Sequence, residues 1–173
     1  AIYPTTGFGN GLRSAAALIK ADVGIEAIQL DRGGWDTHSA QAPLTGSMSV
    51  SMSDIARSLA AFHADVLTGG VTYNVTVVVI SEFGRNVREN GSQGTDHGRG
   101  SAMFCMGPGI AGGRVLTNNW VPLARENLEQ GQDLKVTIDH RDVLAEIVSK
   151  RLGNNNLGVI FPSFVPTIRG VTL

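Results

Sequence analysis

The sequence is poor in cysteine, in charge and in long apolar runs. Cys105 is the single cysteine among 173 residues, so an internal disulfide and a thiolate metal cluster are both excluded. One cysteine leaves the compartment open, because many exported proteins also lack disulfides. The longest apolar runs reach about six residues, far short of the roughly 20 that a membrane-spanning helix needs. Lys and Arg number 14 against 15 Asp and Glu, a net charge of -1, which argues against a broad basic surface for nucleic acid or anionic membrane. Charged residues are 17% of the chain and hydrophobic ones 42%; that balance supports a core and excludes a disordered polyelectrolyte. The length suits one domain or a piece of a larger one. No signal peptide is evident and the chain begins at Ala1 without Met, so we expect an upstream portion to have been removed or left out.

Glycine, by contrast, is abundant: 22 of 173 residues, about twice the usual share of roughly 7%. The glycines gather around polar motifs, which suggests a site built from loops on an ordinary scaffold. Apolar spacing predicts a helix from Asn10 to about Ala21, with Leu12, Ala15, Ala16 and Ile19 on one face. A short strand is expected over Ile25 to Leu30. A second helix is expected from about Ser51 to Leu67 through Met52, Ile55, Leu59, Phe62 and Val66, capped by Ser53 or Asp54 and ended by Gly69-Gly70. The β-branched run Val75 to Ile80 reads as a strand buried on both faces, as in a parallel sheet. Ala102 to Met106 reads as another strand, 113–116 as a possible one, and Asp139 to Leu152 as a helix capped by Asp139 or Thr137 and stopped by Gly153. The tail from Asn154 reads as loop. This order implies an α/β fold, in which ligands bind just beyond the C-terminal ends of strands.

Three polar segments follow strand candidates: Asp36-Thr37-His38, Ser81-Glu82-Phe83-Gly84-Arg85, and Asp96-His97. They offer three carboxylates and two imidazoles, an oxygen and nitrogen donor set that suits zinc, manganese, iron or magnesium. In an extended D-x-H segment both side chains point to the same side. Singly, each residue also has a structural reading: Asp96 can cap a turn and His38 can be a surface histidine. The joint occurrence on three loops is what points to a metal or catalytic site. Arg85 and Arg99 flank the polar loop that carries Asp96 and His97, and an Arg beside a metal suits phosphate or sulfate oxygens in fork geometry; a solvated surface Arg or an ion pair with Glu82 is the alternative. His63 reads as a helix-surface residue and His140 as a capping residue. Trp35 and Phe83 read as packing beneath the loops, and Cys105 as a buried thiol. Gly107-Pro108-Gly109-Ile110-Ala111-Gly112 matches G-x-G-x-x-G, but the residues after it do not read as a helix, so it is taken as a turn rather than a dinucleotide site. No G-x-S-x-G surrounds Ser81.

Taken together, Gly33-Gly34-Trp35-Asp36-Thr37-His38, Ser81-Glu82-Phe83-Gly84-Arg85 and Gly94-Thr95-Asp96-His97-Gly98 resemble the DUF1501 family. Those are bacterial proteins, often with a twin-arginine export signal, related to the alkaline phosphatase/sulfatase superfamily. The Asp139-His140-Arg141-Asp142-Val143 segment and the Phe161-Pro162 tail add to the resemblance. It implies a doubly wound, mostly parallel α/β sheet and usually two divalent metal ions, with zinc, manganese, iron or calcium as the expected identities. The implied ligands are Asp36, His38, Glu82, Asp96 and His97; Arg85, from its guanidinium chemistry beside such a site, is the expected catalytic residue. It further implies that this chain is the C-terminal part of a larger domain, with the nucleophile in an N-terminal portion that would be its partner. A periplasmic or secreted location and hydrolysis of a phosphate or sulfate ester follow as expectations. The rival expectation is an exported, non-catalytic binding or assembly protein on the same scaffold.

Overall fold

A computed structural model describes residues 1–69 and 73–173. The chain divides into two compact units, Ala1–Asn74 with Arg88–Asp96, and Val75–Val87 with His97–Leu173.

In the first unit, α1 spans Gly7–Lys20. It begins before the expected Asn10 because Thr6 is the N-cap, its hydroxyl accepting the Gly9 N–H at 3.0 Å. Leu12, Ala15 and Ala16 are buried as the spacing predicted. Helix α2 spans Ser47–Phe62 and packs against α1; it runs on into one π turn, His63–Leu67. Neither Ser53 nor Asp54 caps it, since it starts earlier, at Gly46, without a side-chain cap. Its buried face is also rotated from the expected stripe. Phe62 and Val66 are buried but Met52 is exposed, and Ser51, Asp54 and Ser58 turn inward. The reason is a polar network: Asp54 accepts from the Thr6 hydroxyl at 2.6 Å, from Arg32 Nε at 2.8 Å and from the Ser58 hydroxyl at 3.4 Å. A buried carboxylate with those partners fixes the helix's rotation. The Thr6 hydroxyl, and then Arg32, outweigh burial and hold the Asp54 carboxyl below the usual range. Ile25 to Leu30 forms no strand; it has no regular secondary structure, with Ile25, Ile28 and Leu30 all exposed. The helix stop expected at Gly69-Gly70 falls partly outside the described residues, because Gly70 is not described.

In the second unit, β1 (Val77–Val79) pairs antiparallel with β4 (Phe104–Met106), Val78 opposite Cys105. Strand β2 (Gly84–Arg85) pairs antiparallel with β3 (His97–Gly98), Arg85 opposite His97. No parallel pairing occurs among the described residues, and 113–116 forms no strand there. The β1 residues are half-buried rather than enclosed on both faces. Helix α3 spans His140–Leu152, bounded as expected by Asp139 and Gly153. Asp139 Oδ1 accepts the Arg141 N–H at 2.9 Å, and the Arg141 guanidinium holds the Asp139 carboxyl down at about 2. Gly153 closes the helix in the left-handed region, φ 66°, where a side chain is strained. The tail, expected as loop, contains one short helix, α4, at Leu157–Ile160. Val143, Ile147 and Val171 form the core, with Val78, Met103, Cys105, Ile110 and Ile138 packed on it.

The buried face of α3 also carries two carboxylates that bind the C-terminal segment. Asp142 takes the Thr167 N–H at 2.8 Å and pairs with Arg169 at 2.6 Å. Glu146, 1% exposed, accepts from the backbone of Arg169, Gly170 and Thr172 at 3.0, 2.9 and 2.8 Å, and from the Thr172 hydroxyl at 2.8 Å. These bonds replace a strand ladder in holding 167–172 against the helix.

Candidate metal centre

Asp36, His38 and Asp96 come together in the first unit. Asp36 and His38 lie in the irregular stretch that follows α1, and their loop is tied down from both sides. Behind it, Arg32 reaches Asp54 and, at 3.3 Å, Ser51 on α2, and Trp35 Nε1 donates to the Arg32 carbonyl. In front, residues 37–41 bond to the loop 90–95. The N–H of Thr95 donates to the Thr37 carbonyl at 3.2 Å, that of Ala40 to Ser92 at 2.9 Å and that of Gln41 to Gln93 at 2.8 Å. The Thr95 hydroxyl adds a bond to Gln41 Oε1 at 2.8 Å. Gly94 is buried where the two segments touch. A Cβ there would stand 2.3 Å from the His38 carbonyl carbon and 2.6 Å from the Ser39 nitrogen, so only glycine fits.

The result is an imidazole between two carboxylates. His38 Nδ1 lies 2.8 Å from Asp96 Oδ1, and His38 Nε2 lies 3.0 Å from Asp36 Oδ1. All three side chains are about half exposed. A neutral imidazole has one N–H. Only one of the two contacts can then be a hydrogen bond, and the other sets a nitrogen lone pair against a carboxylate oxygen. A second proton or a metal cation resolves that conflict. The Asp36–His38 separation also suits a cation: two donors about 2.0–2.2 Å from one metal, spread by roughly 90–110°, lie about 2.8–3.6 Å apart. A carboxylate on the far nitrogen, as Asp96 has, is the usual support of a metal-binding histidine. The donor set therefore fits a divalent ion.

Glu82, Arg85 and His97 belong to the second unit. His97 follows Asp96 directly in the chain and starts β3. Its ring stacks on Phe83, centroids 4.0 Å apart and planes 11° from parallel, and the Arg85 guanidinium lies 5.0 Å from the same ring. Phe83 thus acts as a platform for both residues. Glu82 is exposed one residue before it. Arg99 pairs with Glu129, and its N–H donates to Asp133 Oδ2. His63 is exposed in the π turn, and His140 opens α3 beside Asp139.

Two residues that hold these side chains carry little signal in the sequence. Asn90 bonds to both the His38 backbone and Asp96, and its only signal was the turn-forming Asn90-Gly91 pair. Asp54 anchors Arg32, and its signal was a run of polar residues, Ser51, Asp54 and Ser58, at helical spacing.

No curated protein and no solved structure matches the chain. The family model described as "Protein of unknown function (DUF1501)" matches residues 5–155, the span that holds all three polar motifs, and the chain accordingly belongs to the DUF1501 family.

Proposed function

We propose that this chain is the C-terminal part of a metal-dependent hydrolase of phosphate or sulfate esters, on a larger, mostly parallel α/β domain of the alkaline phosphatase type. The observation that carries the reading is the His38 imidazole set between the Asp36 and Asp96 carboxylates. Asp36 and His38 are the ligand pair proposed within the first unit, with Asp96 Oδ1 backing the ring from its other nitrogen, and the family motifs propose Asp96, Glu82 and His97 as further ligands. A divalent ion of zinc, manganese, iron or calcium would polarise the ester oxygen and activate the attacking group. Asp96 holds the His38 ring in place from the Nδ1 side. Arg85 offers its planar fork of donors to the anionic oxygens of the substrate. The attacking group comes from an N-terminal portion, the proposed partner, and the exported location rests on the family resemblance.

The first test is elemental mass spectrometry of the purified chain after dialysis against metal-free buffer, for wild type, His38→Ala and His97→Ala. About one or two equivalents of metal are expected in the wild type, with loss in both variants. Unchanged metal content in both would refute the ligand set. The second test is hydrolysis of aryl phosphate and aryl sulfate by the full-length parent with and without chelator. Hydrolysis abolished by chelator is the expected result. Bound metal with no hydrolysis of any ester would instead assign an exported binding or assembly protein.

A further inference from the structure

We infer that Asn90 is the positioning residue of the Asp36–His38–Asp96 group, an inference whose metal arm rests on the reading above. A side-chain amide has two N–H donors and an oxygen with two lone pairs. Asn90 uses all four. Nδ2 donates to the His38 carbonyl at 2.9 Å and to Asp96 Oδ1 at 3.0 Å. Oδ1 accepts the N–H groups of Ser92 at 2.9 Å and Gly94 at 3.1 Å. The oxygen end shapes its own loop. The nitrogen end joins two segments that are distant in sequence, one carrying His38 and the other Asp96.

The shared acceptor gives the joint its purpose. Asp96 Oδ1 receives both Asn90 Nδ2 and His38 Nδ1. Asn90 therefore fixes where that oxygen stands, and the oxygen in turn fixes the rotation of the imidazole. A ring held in this way keeps Nε2 on the Asp36 side, where the cation would lie. The backbone register does not depend on these two donor bonds. The bonds from Thr95, Ala40 and Gln41 hold residues 37–41 against 90–95 by themselves. Losing the Asn90 donors thus releases side-chain orientation and leaves the fold in place.

The test compares the full 173-residue wild type with Asn90→Ala and Asn90→Ser. A serine hydroxyl can still accept from the loop amides in the manner of an Asx turn, but it is too short to reach His38 or Asp96. The Asn90→Ser chain carries the test if Asn90→Ala does not fold. The readouts are the ¹⁵N shifts of the His38 ring in the metal-free chain and zinc affinity by calorimetry. The expected result is a changed pair of ring shifts in both variants and a zinc affinity about 10–100-fold weaker, with cooperative unfolding retained in the serine variant. Ring shifts identical in all three chains would overturn the assignment of Asn90, whatever the zinc result. Ring shifts that change in both variants, together with a wild type that takes up no zinc, would uphold Asn90 and remove the metal reading.

Discussion

Replacing Glu146 by alanine should loosen the C-terminal segment without disturbing the candidate metal centre. The carboxylate is 1% exposed and accepts four hydrogen bonds, three from the backbone of Arg169, Gly170 and Thr172 and one from the Thr172 hydroxyl. Bonds to a charged acceptor contribute about 1.5–3 kcal/mol each, so a plain sum would be about 6–12 kcal/mol. That sum overstates the loss, because the segment can detach and recover bonds to water. The cost is therefore capped near that of breaking a buried charged network, about 3–5 kcal/mol. Glu146→Gln keeps one good acceptor and should cost less, about 1–3 kcal/mol.

The pH dependence has a definite sign. Burial pushes the Glu146 carboxyl up, but the Thr172 amide and hydroxyl and the amides of Arg169 and Gly170 outweigh it and hold it below the ordinary range. Its contribution is thus fully present above the unfolded-state value of about 4.3, and is lost as pH falls through the lower folded value. Urea unfolding gives the magnitude, and hydrogen exchange at Arg169, Gly170 and Thr172 gives the location. An alanine variant within about 0.5 kcal/mol of wild type, with those amides still protected, would refute the reasoning.

Asp54→Ala should cost about 3–5 kcal/mol in thermal unfolding, because it strands the Arg32 guanidinium at a partly buried site and frees Thr6 and Ser58; a loss below about 1 kcal/mol would contradict this. The Asp54 contribution also fades on acidification, since its folded-state carboxyl titrates below the unfolded one. Gly94→Ala should cost about 1–3 kcal/mol by overpacking, because the new methyl meets the His38 and Ser39 backbone, which cannot yield as a flexible side chain would. It should also weaken zinc binding in calorimetry, and unchanged stability together with unchanged affinity would remove the close approach as a constraint.

Helix α3 was legible in the sequence to within a residue, because its cap, its stop and its apolar positions agree. Helix α2 was legible as a helix but not in its rotation. Periodicity favours the Met52–Ile55–Leu59 stripe, whereas the partners of Asp54, Thr6 and Arg32, come from other parts of the chain. Ile25 to Leu30 has strand composition without a ladder, and composition alone does not supply a partner. The run at Val77–Val79 found its partner in Phe104–Met106, and no local pattern sets the direction of such a pairing. Within the site, the Asp-x-His and Asp-His pairs stood out because metal-type donors recur together on separate loops. Asn90 did not, because an asparagine before a glycine has an ordinary explanation as a turn. Its importance lies in what it reaches across space.

The division of the chain has a consequence for dissecting it. The first unit consists of 1–74 and 88–96, so it is completed by a short piece that lies between two stretches of the second unit. A fragment ending at Asn74 would keep α1, α2, Asp36 and His38, yet lack Asn90, Gly94 and Asp96. No single cut yields either unit whole. Protease cleavage within 88–96 would cut the short piece that carries Asn90, Gly94 and Asp96 while leaving the chain of α1 and α2 uncut. Work on the separate parts therefore calls for a circular permutation or a loop graft rather than truncation.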